Sequence, residues 1–234
     1  RACPRSWLLG VTPEIAALDF GRGELRATDS SPGMVHALWA GPPDDVQIDD
    51  WRTCEVEPAS CDVVLGDGVL HLVRFPGEQG EVLARAARAL KPGGLLALRL
   101  FVPSPRPERI EHVWAAWDEK HVRTPSALKL RLWSALQRRV EEGISLAEVW
   151  SAASRHARSV GGVSDPGERT RRMLEALSVY RDAPGRYHLV TIEQAAALVR
   201  SASGGALSVE RVVESAGYEL AERCPILIAR KAES

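Results

Sequence analysis

The residues able to do chemistry fall in four short stretches, each where an apolar run gives way to small or acidic residues. In the first, Trp7-Leu8-Leu9 runs into Gly10-Val11-Thr12-Pro13-Glu14. This reads as a strand, a tight glycine turn and a helix start, with Thr12 suited to the N-cap, Pro13 to the first helical position and Glu14 to the first turn. Backbone N–H groups at such a start favour an anionic group such as a carboxylate. The second is Asp29, 19 residues after Gly10, followed by Ser30 and Ser31. A carboxylate there can accept two hydrogen bonds from ribose hydroxyls, or it can cap the next helix. The third is Asp50-Trp51, an acceptor beside an aromatic face, suited to an adenine amino group and ring, or simply a solvated acidic turn. The fourth is Gly66-Asp67-Gly68, either a plain loop or a gap small enough to admit a ligand, with Asp67 offered to it.

The elements that must position these residues follow from periodicity. The chain predicts strands at Trp7–Leu9, Glu24–Thr28, Val46–Ile48, Cys61–Leu65 and Leu95–Val102. Helices are expected from Pro13 to about Phe20, ended by Gly21-Arg22-Gly23, then from Ser30 to Trp39 and from Glu81 to Leu90, the last stopped by Lys91-Pro92-Gly93-Gly94. Strands alternating with helices imply a doubly wound, mostly parallel sheet, and ligands of such sheets sit beyond the strands' carboxyl ends. From 105 to 182 the pattern changes to helices with no convincing strand. Apolar stripes run through Ile110, Val113, Trp114 and Trp117; through Leu128, Leu132, Leu136 and Val140; through Leu146, Val149, Trp150 and Ala153; and through Met173, Leu174, Leu177 and Tyr180. Pro125, Gly143 and the run Gly161 to Gly167 separate them. A helix Ile192–Ala202 and strands Ala206–Val213 and Arg223–Arg230 complete the chain. The six residues 214–219 are too few for a crossover helix, so the last two strands are expected to form an antiparallel hairpin. The organisation is therefore a sheet domain of 1–103 and 191–234 with a helical insertion, 104–190, after the fifth strand.

Composition narrows the class. The 234 residues are 45% hydrophobic with a net charge of -1, enough for one sizeable core and without a strong global field. The basic excess is confined to 103–190, where solvated helix faces account for it better than an anion site, and it lacks the aromatic interleaving of a nucleic-acid groove. No apolar run approaches membrane-spanning length and no signal-peptide pattern opens the sequence, which begins at Arg1. Cys3, Cys54, Cys61 and Cys224 are scattered with no CxxC pair, as expected of core residues in a reducing cytoplasm rather than of a metal site.

The order and spacing of the four stretches resemble a class I S-adenosylmethionine-dependent methyltransferase. The resemblance covers about 1–102 and 191–234. It is carried by the opening strand with Gly10, by Leu25-Arg26-Ala27-Thr28-Asp29-Ser30-Ser31-Pro32-Gly33-Met34, by Asp50-Trp51, by Cys61-Asp62-Val63-Val64-Leu65-Gly66-Asp67-Gly68, and by Ala89-Leu90-Lys91-Pro92-Gly93-Gly94. It implies a Rossmann-like, seven-stranded sheet with an antiparallel last strand, here Cys224–Ala229, and S-adenosyl-L-methionine as cofactor. It implies that Gly10 to Glu14 approach the cofactor's methionine part and that Asp29, with Ser30, holds the ribose. Met34, Asp50 and Trp51 would lie by the adenine, and Gly66 and Asp67 would line the methyl-transfer end. The opening turn departs from the family's Gly-x-Gly-x-Gly: Thr12 and Glu14 replace the second and third glycines, and Leu8 stands where an acid is usual. Those changes restrict backbone approach and remove a partner for the cofactor's ammonium, for which Glu14 is a substitute. A nicotinamide dinucleotide fits less well, since no GxGxxG survives.

Methyl transfer from a sulfonium is an in-line displacement that requires alignment and sometimes a base. The candidates are Asp67 and His71 as bases, and Arg99, which interrupts Leu95–Phe101 and therefore needs a ligand or an ion-pair partner. The insertion reads as a lid over a small-molecule acceptor; Trp114, Trp117, Trp133 and Trp150 belong to its core, while Tyr180 and Tyr187 are able to face the pocket. The competing reading is a methyltransferase-like binding or regulatory module without catalysis, motivated by the altered Gly10–Glu14 turn. Neither the acceptor nor the oligomeric state follows from the sequence.

Overall fold

The computed structural model describes residues 5–18, 23–160 and 167–233. In chain order the elements are β1 (Arg5–Leu9), α1 (Pro13–Ala16), β2 (Glu24–Asp29), α2 (Pro32–Leu38), β3 (Val46–Ile48), β4 (Cys61–Asp67), α3 (Gly77–Ala89), β5 (Leu90–Arg99), α4 (Ile110–Asp118), α5 (Pro125–Leu136), β6 (Ile144–Ser145), α6 (Leu146–Val160), α7 (Glu168–Leu177), β7 (Arg186–Tyr187), α8 (Ile192–Ala202), β8 (Leu207–Val213) and β9 (Ile226–Lys231). The main sheet has seven strands in the order β3-β2-β1-β4-β5-β9-β8. The pairings from β3 through β5 are parallel, whereas β9 runs antiparallel to both β5 and β8. The expected doubly wound sheet with an antiparallel last strand is the observed one.

Alternation within the strands loads both faces, as a parallel sheet demands. Trp7, Leu9, Val64, Leu96 and Leu98 point to one side, into a core with Val82, Leu83 and Ala86 of α3 and Ala195 and Val199 of α8. Leu8 and Ala27 point to the other, against Ile15 of α1 and Val35 and Leu38 of α2. The helices of 104–190 build a separate core around Val113, Trp117, Leu128, Leu132, Trp133, Val149, Met173 and Leu177, with Trp114 and Trp150 packed against it.

Several local expectations change. The helix expected to reach Phe20 is a single turn, Pro13–Ala16, and Thr12 makes no side-chain cap; Phe20, Gly21 and Arg22 lie outside the described residues, as do Cys3 and 161–166. The second helix behaves as its sequence suggests: Pro32 opens it and Ser31 Oγ accepts from Met34 N. The fifth strand is Leu90–Arg99 rather than Leu95–Val102. Cys61 is opposite Leu90 and Val63 opposite Leu95, so Lys91-Pro92-Gly93-Gly94 is looped out of the ladder, with Gly93 at φ +74. Within the insertion, α5 stops at Leu136, so Val140 lies beyond the helix whose stripe it was expected to extend. A two-residue strand, Ile144–Ser145, pairs with Arg186–Tyr187 where no strand was expected before 182. The C-terminal strands begin later than expected, because Ala221–Arg223 coils into a 3-10 turn before β9.

Candidate active site at the carboxyl edge of the sheet

Strand register places the candidate residues in a row. Leu9 is opposite Thr28 on one side and Gly66 on the other, so Gly10 emerges between Asp29 and Asp67; Asp67 is in turn opposite Arg99. Asp29, Gly10, Asp67 and Arg99 are thus adjacent strand ends, each about 4.8 Å from the next.

Gly10 is the turn on which this edge depends. Its φ is +99, a conformation that disfavours any side chain, and its N–H donates to Thr28 O at 2.8 Å. A Cβ at this position would lie 3.9 Å from Asp29 Oδ2 and 3.9 Å from Trp51 Cζ2, so glycine leaves the space between carboxylate and indole open. Asp29 accepts from Ser31 N at 2.8 Å through Oδ1. Burial pushes its carboxyl above the usual aspartate value, and the Ser31 N–H opposes that shift. Trp51 is buried and its Nε1 donates to Thr28 O at 2.5 Å, which fixes the ring beside the turn.

The remaining residues of the adenosine side are less available. Asp50 accepts from Arg52 N and Nε at 2.9 Å and from Arg52 Nη2 at 2.5 Å, and this partner holds its carboxyl below the usual range. Arg52 also bridges to Glu78 at 2.6 Å. Met34 is 47% exposed on α2, Ser30 is exposed, and Glu14 projects from the surface of the single-turn α1. Val11 is buried among the apolar residues under that turn, with Thr12 and Pro13 half-buried beside it.

On the other side of Gly10, Asp67 and Arg99 form a two-pronged pair, Nε to Oδ1 at 2.5 Å and Nη2 to Oδ2 at 2.8 Å. This supplies the ion-pair partner that the charge in β5 requires. Gly66 packs too closely for a side chain, since a Cβ would come within 2.7 Å of Val69 and 2.8 Å of Leu98. Gly68, at φ +66, is closed in by Phe101 and His71. His71 is 8% exposed within an aromatic cluster: Phe101 and Tyr187 meet it edge-on at 4.9 and 4.6 Å, and Trp133 stacks at 5.7 Å. Its Nδ1 and the Trp133 Nε1 are buried without a hydrogen-bond partner. Burial lowers the His71 pKa to about 3, so the ring is neutral at physiological pH.

A crevice too narrow to hold a water molecule runs along Gly68, His71, Arg99, Phe101 and His188. A larger groove of about 370 Å³ lies at the opposite edge, beside Arg5, Glu24, Asp45 and Glu55. Its size does not make it the chemical site: it flanks the amino ends of the strands, whereas the converging N–H groups and carboxylates stand at the carboxyl ends. Arg52 and Trp133 are contributors to the edge that sequence reasoning gave no role there, whereas Tyr187, expected to be able to face the pocket, meets His71 edge-on. Arg52 follows Asp50 by two residues, a spacing that signals the local pair; Trp133 reaches His71 from a distant segment and left no such signal.

Residues 10–98 match the sequence model of a methyltransferase domain. No curated protein matches the chain in sequence. Among solved structures, a methyltransferase dependent on S-adenosylmethionine from Methanosarcina mazei superposes with a TM-score of 0.55 at 11% identity, covering 100% of this chain and 95% of that one. A Rhodobacter sphaeroides chain provisionally designated a Zn-dependent alcohol dehydrogenase gives 0.61 at 14% identity, with 97% and 84% covered. The N-methyltransferase NodS of Bradyrhizobium japonicum WM9, in complex with S-adenosyl-L-homocysteine, gives 0.50 at 11% identity, with 97% and 78% covered. The fold is that of the class I S-adenosylmethionine-dependent methyltransferases. Among the described residues, no cluster of three or more His, Cys, Asp or Glu is arranged to hold a metal, and no helix is long and apolar enough to cross a membrane.

Proposed function

We propose that this chain is an S-adenosyl-L-methionine-dependent methyltransferase acting on a small-molecule acceptor in the cytoplasm. The observation that carries the reading is the opening at Gly10, bounded by the Asp29 carboxylate and the edge of Trp51. That donor set suits a ribose, whose two hydroxyls donate to one carboxylate, with the flat base beyond it toward Trp51 and α2. When bound, the cofactor supplies an electrophilic methyl group on sulfonium. In this reading 1–103 and 191–234 form the cofactor domain, and 104–190 is a cap that excludes water from the acceptor side.

The chain's own residues then divide the work. Asp29 and the Ser30-Ser31 turn hold the ribose; Gly10 to Glu14 and Gly66 shape the wall along the methionine end. His71, neutral and buried with Nδ1 unpaired, would accept a hydrogen bond from an acceptor hydroxyl or amine and so hold that group for the methyl donor. Phe101, Trp133 and Tyr187 surround the ring with apolar surface. The N-methyltransferase activity and S-adenosyl-L-homocysteine complex of the Bradyrhizobium relative lend support to this use of the fold.

Calorimetry with S-adenosylhomocysteine tests the reading. Micromolar-scale binding is expected, and Asp29→Ala weakens it roughly tenfold or more, as loss of hydrogen bonds to a charged acceptor does. Absence of heat at millimolar ligand would overturn it and favour the second reading, a non-catalytic module. That second reading draws on the commitment of Asp50 to Arg52 and on the non-glycine residues at 12 and 14.

A further inference from the structure

The basic excess of 103–190, expected to be spread over solvated helix faces, has a focus within the insertion. A cavity of about 290 Å³ opens where the C-terminal end of α4, the turn into α5 and the first turn of α7 meet. We infer that this cavity is an anion-binding site for the phosphate group of a small phosphomonoester. It is a second site, away from the carboxyl edge of the sheet, and it stands whether or not the chain uses S-adenosyl-L-methionine.

Three observations carry it. The first is charge. Lys120, Arg123, Arg169 and Arg172 line the cavity against one carboxylate, Glu168, in a chain whose net charge is -1. Arg169 is committed to the fold. Its Nε and Nη2 donate to Trp117 O at 3.1 and 2.8 Å, Nη2 also donates to Val122 O, and the guanidinium lies 3.6 Å from the Trp117 ring centroid. Lys120, Arg123 and Arg172 form no ion pair among the described residues. The acids beside them are engaged elsewhere: Asp118 meets His156, Glu119 meets His121, and Glu219 accepts from Arg123 N, Thr124 N and Thr124 Oγ1. Cations gathered in a concavity focus their field there, and an anion relieves their mutual repulsion. The second is backbone. Lys120 follows the C-cap of α4 with φ +63, the left-handed position that glycine or asparagine usually takes. The turn therefore holds an ammonium at the rim in a conformation unfavourable for its side chain. The third is shape. The volume lies near the lower end for small-molecule sites. Trp117 is buried with Arg169 over its face, so it offers no stacking surface to a base, and the cations converge on a hollow instead of following a groove. Three free cations match the three terminal oxygens of a phosphomonoester, and the guanidinium forks can each bind two of them. Pro125, at the start of α5, borders the cavity, while Trp133, about 12 Å further along that helix, stacks on His71. The two sites thus stand toward opposite ends of α5.

The test is calorimetry at about physiological salt with ribose 5-phosphate, and with ribose as the uncharged control. Ribose 5-phosphate is expected to bind with a dissociation constant of about 100 μM or tighter, and ribose to give no heat. Arg123→Gln and Arg172→Gln should each weaken ribose 5-phosphate about fivefold or more, and Glu168→Gln should tighten it, since it removes the one opposing charge. These side chains are exposed, so the variants are expected to fold; Arg169, which anchors the turn, is left in place. Absence of heat with ribose 5-phosphate at about 10 mM overturns the site, as does affinity unchanged in both arginine variants. Tighter binding of a short single-stranded RNA than of ribose 5-phosphate overturns it in favour of a nucleic-acid surface. Failure of S-adenosylhomocysteine to bind overturns the proposed function and leaves this site standing.

Discussion

Asp29 and His71 show opposite ways of holding a titratable side chain at a sheet edge, and each makes a stability prediction. Burial raises the Asp29 carboxyl above its ordinary value, so the folded state binds the proton more readily than the unfolded chain. Stability therefore falls as pH rises through the unfolded value toward the folded one, and at neutral pH the ionised group is a liability. Asp29→Asn keeps the acceptor for Ser31 N–H and removes that liability. Its melting temperature at pH 7 is expected to equal or exceed that of the parent, while its affinity for S-adenosylhomocysteine falls; a lower melting temperature would show that the charge stabilises the fold. His71 has the reverse sign. Its folded pKa of about 3 lies below the ordinary histidine value, so its contribution is complete above about pH 6.5 and is lost as pH falls toward 3. Within that window the group contributes about 1.4 kcal/mol of lost stability per pH unit. Urea titrations at pH 7, 6, 5 and 4 should show a steep decline for the parent and a shallower one for His71→Phe. Parallel declines would place the acid sensitivity elsewhere.

At the scale of elements, the sheet and the insertion are bound by buried polar ties. Arg223, in the turn before β9, is 7% exposed and donates to Val102 O at 3.2 and 3.0 Å and to Leu130 O at 3.4 Å. It joins the exit of β5 to α5. Removing it strands two inward carbonyls, and Arg223→Ala is expected to cost about 2–4 kcal/mol by denaturant titration. A loss under about 0.5 kcal/mol, ordinary for surface changes, would mean that water replaces the guanidinium. Much of this scale was legible in the sequence. The helix expected at Ile192–Ala202 has those bounds, and the structure adds the reciprocal capping box of Thr191 and Gln194. Pro32 and Ser31 announce α2. What was not legible has a common cause, that the decisive partner is remote in sequence. Nothing near Arg99 shows that β4 register sets Asp67 opposite it. Nothing near His71 shows that Trp133 and Tyr187 will close over it. Lys91-Pro92-Gly93-Gly94 reads as a stop, yet the chain enters the sheet at Leu90 and loops out afterwards, because Leu90 has Cys61 to pair with.

For the whole molecule, the two cores are joined closely enough to melt together. Gln79 Nε2 of α3 donates to His188 O at 3.3 Å, and His188 N donates to His71 O at 2.9 Å. Glu219, in the loop between β8 and β9, accepts from Arg123 N, Thr124 N and Thr124 Oγ1, each at 2.8 Å, at the start of α5. Scanning calorimetry is expected to show one transition, with S-adenosylhomocysteine raising its midpoint in proportion to the logarithm of ligand concentration. Two resolved transitions would show that the insertion unfolds independently.

The pairing of β5 with β9 carries a consequence for how the chain finds this fold. Leu95 is opposite Arg230 and Arg99 opposite Ile226, so the entire helical insertion is threaded between two strands that must meet inside the sheet, one strand from its β8 edge. Closing so long a loop is paid in chain entropy before any ladder bond rewards it. The helices between them, whose contacts are local, collapse quickly by comparison. The expected order of events is then insertion first and sheet last, with β8, whose ladder partner is β9, the last to join. During that interval the edge of β5 lies open to other chains, so the slow step of folding is also the step most exposed to misassembly.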